Sequence, residues 1–105
     1  MRVVNDGRTY DVNWRYTVVP SEKSGIQVVR TECDICQVIT RDGEKNEYPI
    51  LATGSVTQNT KDRHVKDEAR KRSLTKALKQ FANQKSVRIT FWNAYFGRNT
   101  VETVG

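Results

Sequence analysis

The ten residues from Thr9 to Val18 constrain this chain more than any other stretch. Tyr10, Val12, Trp14, Tyr16 and Val18 alternate with Thr9, Asp11, Asn13, Arg15 and Thr17. That is the period of a strand with one face on a core and the other in water. Upstream, Val3 and Val4 connect to it through Asn5-Asp6-Gly7. An Asp-Gly pair tolerates the positive φ of a tight hairpin turn, so a short first strand is expected to pair there.

Pro20 to Gly25 reads as an exposed loop, and Ile26 to Thr40 as a strand with a bulge or break near Arg30. Asp42-Gly43 marks a second hairpin turn. The return strand, Asn46 to Thr57, is expected to place Tyr48, Ile50, Ala52 and Val56 on one face, with Pro49 at an edge or a strand start. Four or five antiparallel strands result.

Thr60 or Asp62 is suited to cap a helix that runs to about Asn83. At helical spacing Leu74, Ala77, Leu78 and Phe81 form one seam, extended toward the N-terminus by Arg70 and Asp67. Arg72, Lys76 and Lys79 fall on the opposite, solvent side. Between Ser86 and Arg98 two periods compete. Val87, Ile89 and Phe91 alternate as in a strand, whereas Arg88, Phe91, Trp92 and Tyr95 share a helical face. A short second helix capped by Ser86 and ended by Gly97 is the reading adopted, with 99–105 as a frayed tail.

A chain of 105 residues holds one compact core and no second lobe with a cleft. It is read as a single domain: a β half (1–57), a basic helical half (58–98) and a tail (99–105). Residues 1–57 carry seven Lys/Arg and eight Asp/Glu, while 58–105 carry eleven and four, so the whole excess of the +6 net charge lies in the C-terminal half. Such polarity attracts polyanions and acidic surfaces and fades with salt. No stretch approaches a spanning helix and the N-terminus lacks a secretory apolar region, so a cytoplasmic domain with reduced cysteines is expected.

Cys33 and Cys36 form a C-x-x-C, but a structural zinc site wants four ligands, and His64 is the sole imidazole. In a regular strand the two thiols point to opposite faces. The reading is no metal and no cofactor, with one cysteine as core filler and the other partly exposed. No Ser or Cys is placed beside His64 by a recognisable motif, and no glycine-rich phosphate loop occurs. Glu32/Asp34 and Asp67/Glu68 read as solvated pairs. Catalysis is disfavoured, and no small-molecule substrate or membrane contact is expected.

Arg70 lies in line with the apolar seam, where an arginine needs a carboxylate or carbonyl partner. It is either a clamp between helix and sheet or an anchor for a phosphate or a partner's carboxylate. For a polyanion or an acidic partner, the candidates are Arg72, Lys76 and Lys79, with Lys61, Arg63 and Lys66 near the helix start and Lys71 on its flank. Trp14, Tyr16, Trp92 and Tyr95 could stack on bases, although each falls on a core face.

Several runs together carry a resemblance: T-x-C-x-I at Thr31 to Ile35, Ala52-Thr53-Gly54, Asp62, Lys66 to Leu78 (KDEARKRSLTKAL) and Phe91 to Phe96 (FWNAYF). Over residues 31–98 the chain resembles small proteins of bacteriophages and prophages that combine a similar hairpin, a GRKxALxxAL-type helix and an aromatic terminal helix. Such phage genes include counter-defence proteins, among them inhibitors of RNA-guided nucleases (anti-CRISPR proteins). The resemblance implies a non-enzymatic inhibitor of a host defence protein or protein–RNA complex. The expected fold is α+β, an antiparallel sheet against one long and one short C-terminal helix. The alternative function is a DNA- or RNA-binding accessory or regulatory protein.

Overall fold

The computed structural model describes residues 1–20, 27–59 and 66–104. Four strands, β1 (Arg2–Asn5), β2 (Arg8–Pro20), β3 (Gln27–Gln37) and β4 (Ile50–Asn59), precede two helices, α1 (Lys66–Phe81) and α2 (Lys85–Val104). The strands form one antiparallel sheet in the order β1-β2-β3-β4, so the α+β architecture is as expected. Of the loop expected from Pro20 to Gly25, Pro20 instead ends β2, paired with Gln27, while residues 21–25, the caps Thr60 and Asp62, and His64 lie outside the described residues.

Asp6 and Gly7 both take positive φ, 53° and 75°, the conformation that the Asp-Gly pair was expected to supply. Gly43 does so at 74°. Register then sorts the side chains, because paired residues of neighbouring strands share a face. Val12, Ile35 and Ala52 lie side by side beneath the helices, as do Trp14, Cys33 and Gly54. The buried residues of this face join Leu74, Ala77 and Leu78 of α1 with Phe91 and Tyr95 of α2. Burying that apolar surface is the main force that holds the helices to the sheet.

Four local expectations are corrected. Pairing runs unbroken through Arg30, and the irregularity lies between Ile35 and Cys36, where β4 inserts Leu51 between the partners Ala52 and Ile50. The extra residue turns Ile50 onto the outer face, where it is 60% exposed, and Tyr48 is exposed too. Val18 is 59% exposed because β2 and β3 continue past the level where Lys66 and Arg70 lie over Tyr16. The second helix is the longer one, 20 residues against 16, and carries through Gly97 to Val104. Gly97 lacks the positive φ of a helix-ending glycine, so nothing at that position unwinds the backbone.

α1 lies unusually close to β4. A Cβ on Gly54 would sit 2.0 Å from the Ser73 carbonyl oxygen and 2.6 Å from the Ala77 nitrogen. Glycine is required there, and the small residues Ala69, Ser73 and Ala77 form the matching helix face. At the other end of the core Tyr10, Phe81 and Phe91 meet with ring centroids 5.3 to 5.6 Å apart. These contacts fix α2 as a return arm beside α1.

Candidate functional site

On the outer face of the sheet, charges are matched by register. Arg2 binds Asp11 through two hydrogen bonds of 2.9 and 3.0 Å. Arg15 binds Asp34 at 3.0 and 3.2 Å and reaches Glu32 at 3.3 Å, while Thr53 donates to Asp34 at 2.8 Å. Asp34 is therefore a buried cross-strand anchor and not the solvated group expected, because β2 and β4 bring Arg15 and Thr53 to either side of it. These bonds hold the Asp11 carboxyl below the usual carboxylate range, chiefly through Arg2. Charge on this face is closed around Arg2 and Arg15, while Arg30, exposed on the same face, has no ion pair among the described residues.

Cys33 and Cys36 point to opposite faces, as expected, but both are buried. One of the two was expected to be a partly exposed thiol, but even Cys36 on the outer face is flanked in register by Asp11 and Ile50 and is buried. Burial pushes the Cys33 thiol up to about 12 and raises Cys36 as well. Among the described residues no three His, Cys, Asp or Glu side chains group to hold a metal ion.

The predicted cationic residues divide into distinct sets. Lys61 and Arg63 lie outside the described residues. Lys66 lies over the Tyr16 ring at 5.5 Å. Arg70 donates to the Tyr16 hydroxyl at 2.6 Å, and its guanidinium is 5.9 Å from the Trp14 and Tyr16 ring centres. Trp14 in turn donates its indole N–H to the Arg70 carbonyl at 3.3 Å. Arg70 is thus the clamp between helix and sheet, held by a phenol and two rings where a carboxylate or carbonyl was expected.

Along α1, Lys71 pairs with Asp67 at 3.0 Å and lies 5.6 Å over the Phe96 ring. Asp67 also accepts a bond from the Tyr95 hydroxyl. That bond first, and Lys71 second, hold the Asp67 carboxyl below its ordinary range. Asp67 therefore ties α2 to α1 and is not a simple solvated acid. Arg72 meets Glu68 at 3.8 Å with both side chains about three-fifths exposed, 60% and 58%, a pairing that water largely screens. Lys76 donates to the Ser55 carbonyl at 3.1 Å on the edge strand β4.

Lys79 belongs to a different place. With Lys85 and Arg88 of α2 it rims a groove of about 340 Å³ between the helices, floored by Thr75, Leu78, Ile89 and Trp92. Sequence reasoning missed Lys85 and Arg88, although a signal was present: no Asp or Glu occurs between Glu68 and Glu102. Once α2 folds back along α1, that acid-free stretch becomes two facing walls. A second hollow of about 300 Å³ lies between the β1–β2 turn and the α1–α2 connection, with Asp6 and Arg8 in its lining. Those opposed charges give an anion no net pull.

Comparison of the chain with protein-family models, curated proteins and solved structures finds no match. The site is therefore read from its chemistry.

Proposed function

We propose that this chain is a non-catalytic binding protein of the cytoplasm that engages a nucleoprotein through its cationic helical layer. The proposed target is a host defence assembly such as an RNA-guided nuclease, which the chain would inhibit by occupying its surface. One observation carries the reading. On the outer sheet face Arg2 and Arg15 are paired with acids, whereas Lys79, Lys85 and Arg88 gather around an apolar groove with no acidic partner among the described residues. Arg72 and Lys76 lie exposed on the same helix as Lys79.

A surface of this kind raises encounter rates with polyanions and acidic protein surfaces. The resemblance to small phage proteins supplies the finer reading, a phage-encoded inhibitor. A chain of net charge +6 does not mimic DNA phosphates, so inhibition would act on guide RNA or the assembled complex.

Affinity capture from a lysate containing the defence assembly, with and without nuclease treatment, tests this reading. Retention of a defined effector after nuclease digestion is expected. The double variant Arg72→Glu with Lys76→Glu should abolish capture while unfolding at nearly the wild-type temperature. Binding to bare duplex with no effector retained would instead mark a nucleic-acid accessory protein. Its signature would be an affinity that falls with salt by a log-log slope of about 0.9 per phosphate contacted.

A further inference from the structure

The groove between α1 and α2 allows the partner's chemistry to be named, an inference that rests on the reading of the chain as a binding protein. Ile89 is 46% exposed at the groove, while Leu78 at its floor is almost fully buried. Trp92 lies beside them, stacked on Phe96 with ring centroids 5.9 Å apart and planes at 26°. One broad face of the indole is thereby turned to Phe96, and the most exposed apolar side chain of the groove is the aliphatic Ile89, which gives a stacked base no platform.

Around that floor stand Lys79 at the end of α1 and Lys85 and Arg88 in the first turn of α2. The positive end of the α2 dipole opposes both α2 cations, and α2 has no acid in its first turn to offset it. A ligand that matches this site is apolar along its centre and acidic along its sides. Two helices lying side by side accept a third in the groove between them, with anchors spaced at i, i+3, i+4 and i+7.

We propose that the α1–α2 groove is the docking site for an amphipathic helix of the partner protein, whose apolar residues rest on Ile89 and Trp92 and whose flanking carboxylates pair with Lys79, Lys85 and Arg88.

The test titrates the full chain against a labelled synthetic amphipathic helix with Leu at i, i+3, i+4 and i+7 and Glu on its flanks. A scrambled peptide of the same composition and a labelled single-stranded oligothymidylate serve as comparison probes, and fluorescence anisotropy is the readout. The patterned peptide should bind. Affinity should fall about tenfold or more in Ile89→Ser and in Lys85→Glu with Arg88→Glu, each confirmed folded by circular dichroism. Equal binding of the scrambled peptide, no binding of the patterned one, or tighter oligothymidylate binding lost in Ile89→Ser would each overturn the inference. The lysate capture separates the two readings. Unaltered capture by the groove variants overturns the docking site and leaves the binding function standing. If the wild-type chain captures no nucleoprotein, the binding function falls, and the peptide titration alone decides the groove.

Discussion

At Gly54 the absence of one methyl group lets a helix lie against a strand. The carbonyl of Ser73 and the amide of Ala77 occupy the space a side chain would need, and both are backbone atoms that cannot rotate away. Gly54→Ala is therefore expected to push α1 off β4 and destabilise the chain by roughly 1 to 3 kcal/mol. Urea unfolding measures this, and an unchanged midpoint would contradict the close approach. A glycine inside a strand is a local signal of close backbone approach, and the spacing of Ala69, Ser73 and Ala77 is its counterpart on the helix. The two cysteines make the opposite case, since the C-x-x-C motif suggested chemistry that packing removes. With the Cys33 thiol pushed up to about 12 and Cys36 raised too, neither forms much thiolate at neutral pH. Iodoacetamide at neutral pH should label both only as fast as the chain unfolds. Rapid labelling of the native protein would show an open thiol.

Among the elements, α2 departs furthest from its sequence reading. The competing periods of Val87, Ile89 and Phe91 against Phe91, Trp92 and Tyr95 resolve as helix because Phe91 and Tyr95 reach the core while Ile89 does not. Gly97 reads as a stop, yet a glycine stops a helix only by adopting positive φ, and here it does not. Lys85 sits where the helix dipole disfavours a cation. Lys85→Glu should therefore stabilise the fold by about 0.3 to 1 kcal/mol while weakening partner binding. Thermal unfolding beside the capture assay checks both signs; a loss of stability would mean that Lys85 anchors the fold. The bulge opposite Cys36 was expected near Arg30, because nothing in local composition separates a regular strand from one interrupted by a single inserted residue.

Over the whole molecule, charge is arranged by face. On the outer face of the sheet Arg2 and Arg15 close ion pairs across strands, while the helical layer gathers Lys79, Lys85 and Arg88 around one groove. The two helices are held together by the Tyr95 hydroxyl, Asp67 and Lys71, which gives the assembly a pH dependence. Folding lowers the Asp67 pKa, so its contribution is complete above the ordinary carboxylate range and is lost as pH falls through the folded value. Melting temperatures from pH 7 down to about pH 3 should fall more steeply for the wild type than for Asp67→Asn. Asp11, lowered by Arg2, leaves a residual slope in the variant. Equal slopes would show that the Tyr95–Asp67 bond contributes nothing to the fold.

Alternation from Thr9 to Val18, the Asp-Gly turn, the seam of α1 and the crowding of cations into the second half are local properties, and the amino-acid order alone determined them. Each depends on residues a few positions apart. Tertiary structure decided which of those cations pair internally, what lies beneath Arg70, and that Lys85 and Arg88 face Lys79 across an apolar groove. Those outcomes depend on where α2 returns along α1, which is set by distant contacts such as Tyr10 with Phe91 and Trp14 with Tyr95. Charge along a chain is additive and can be read residue by residue, whereas a groove exists only where two distant segments come to rest side by side.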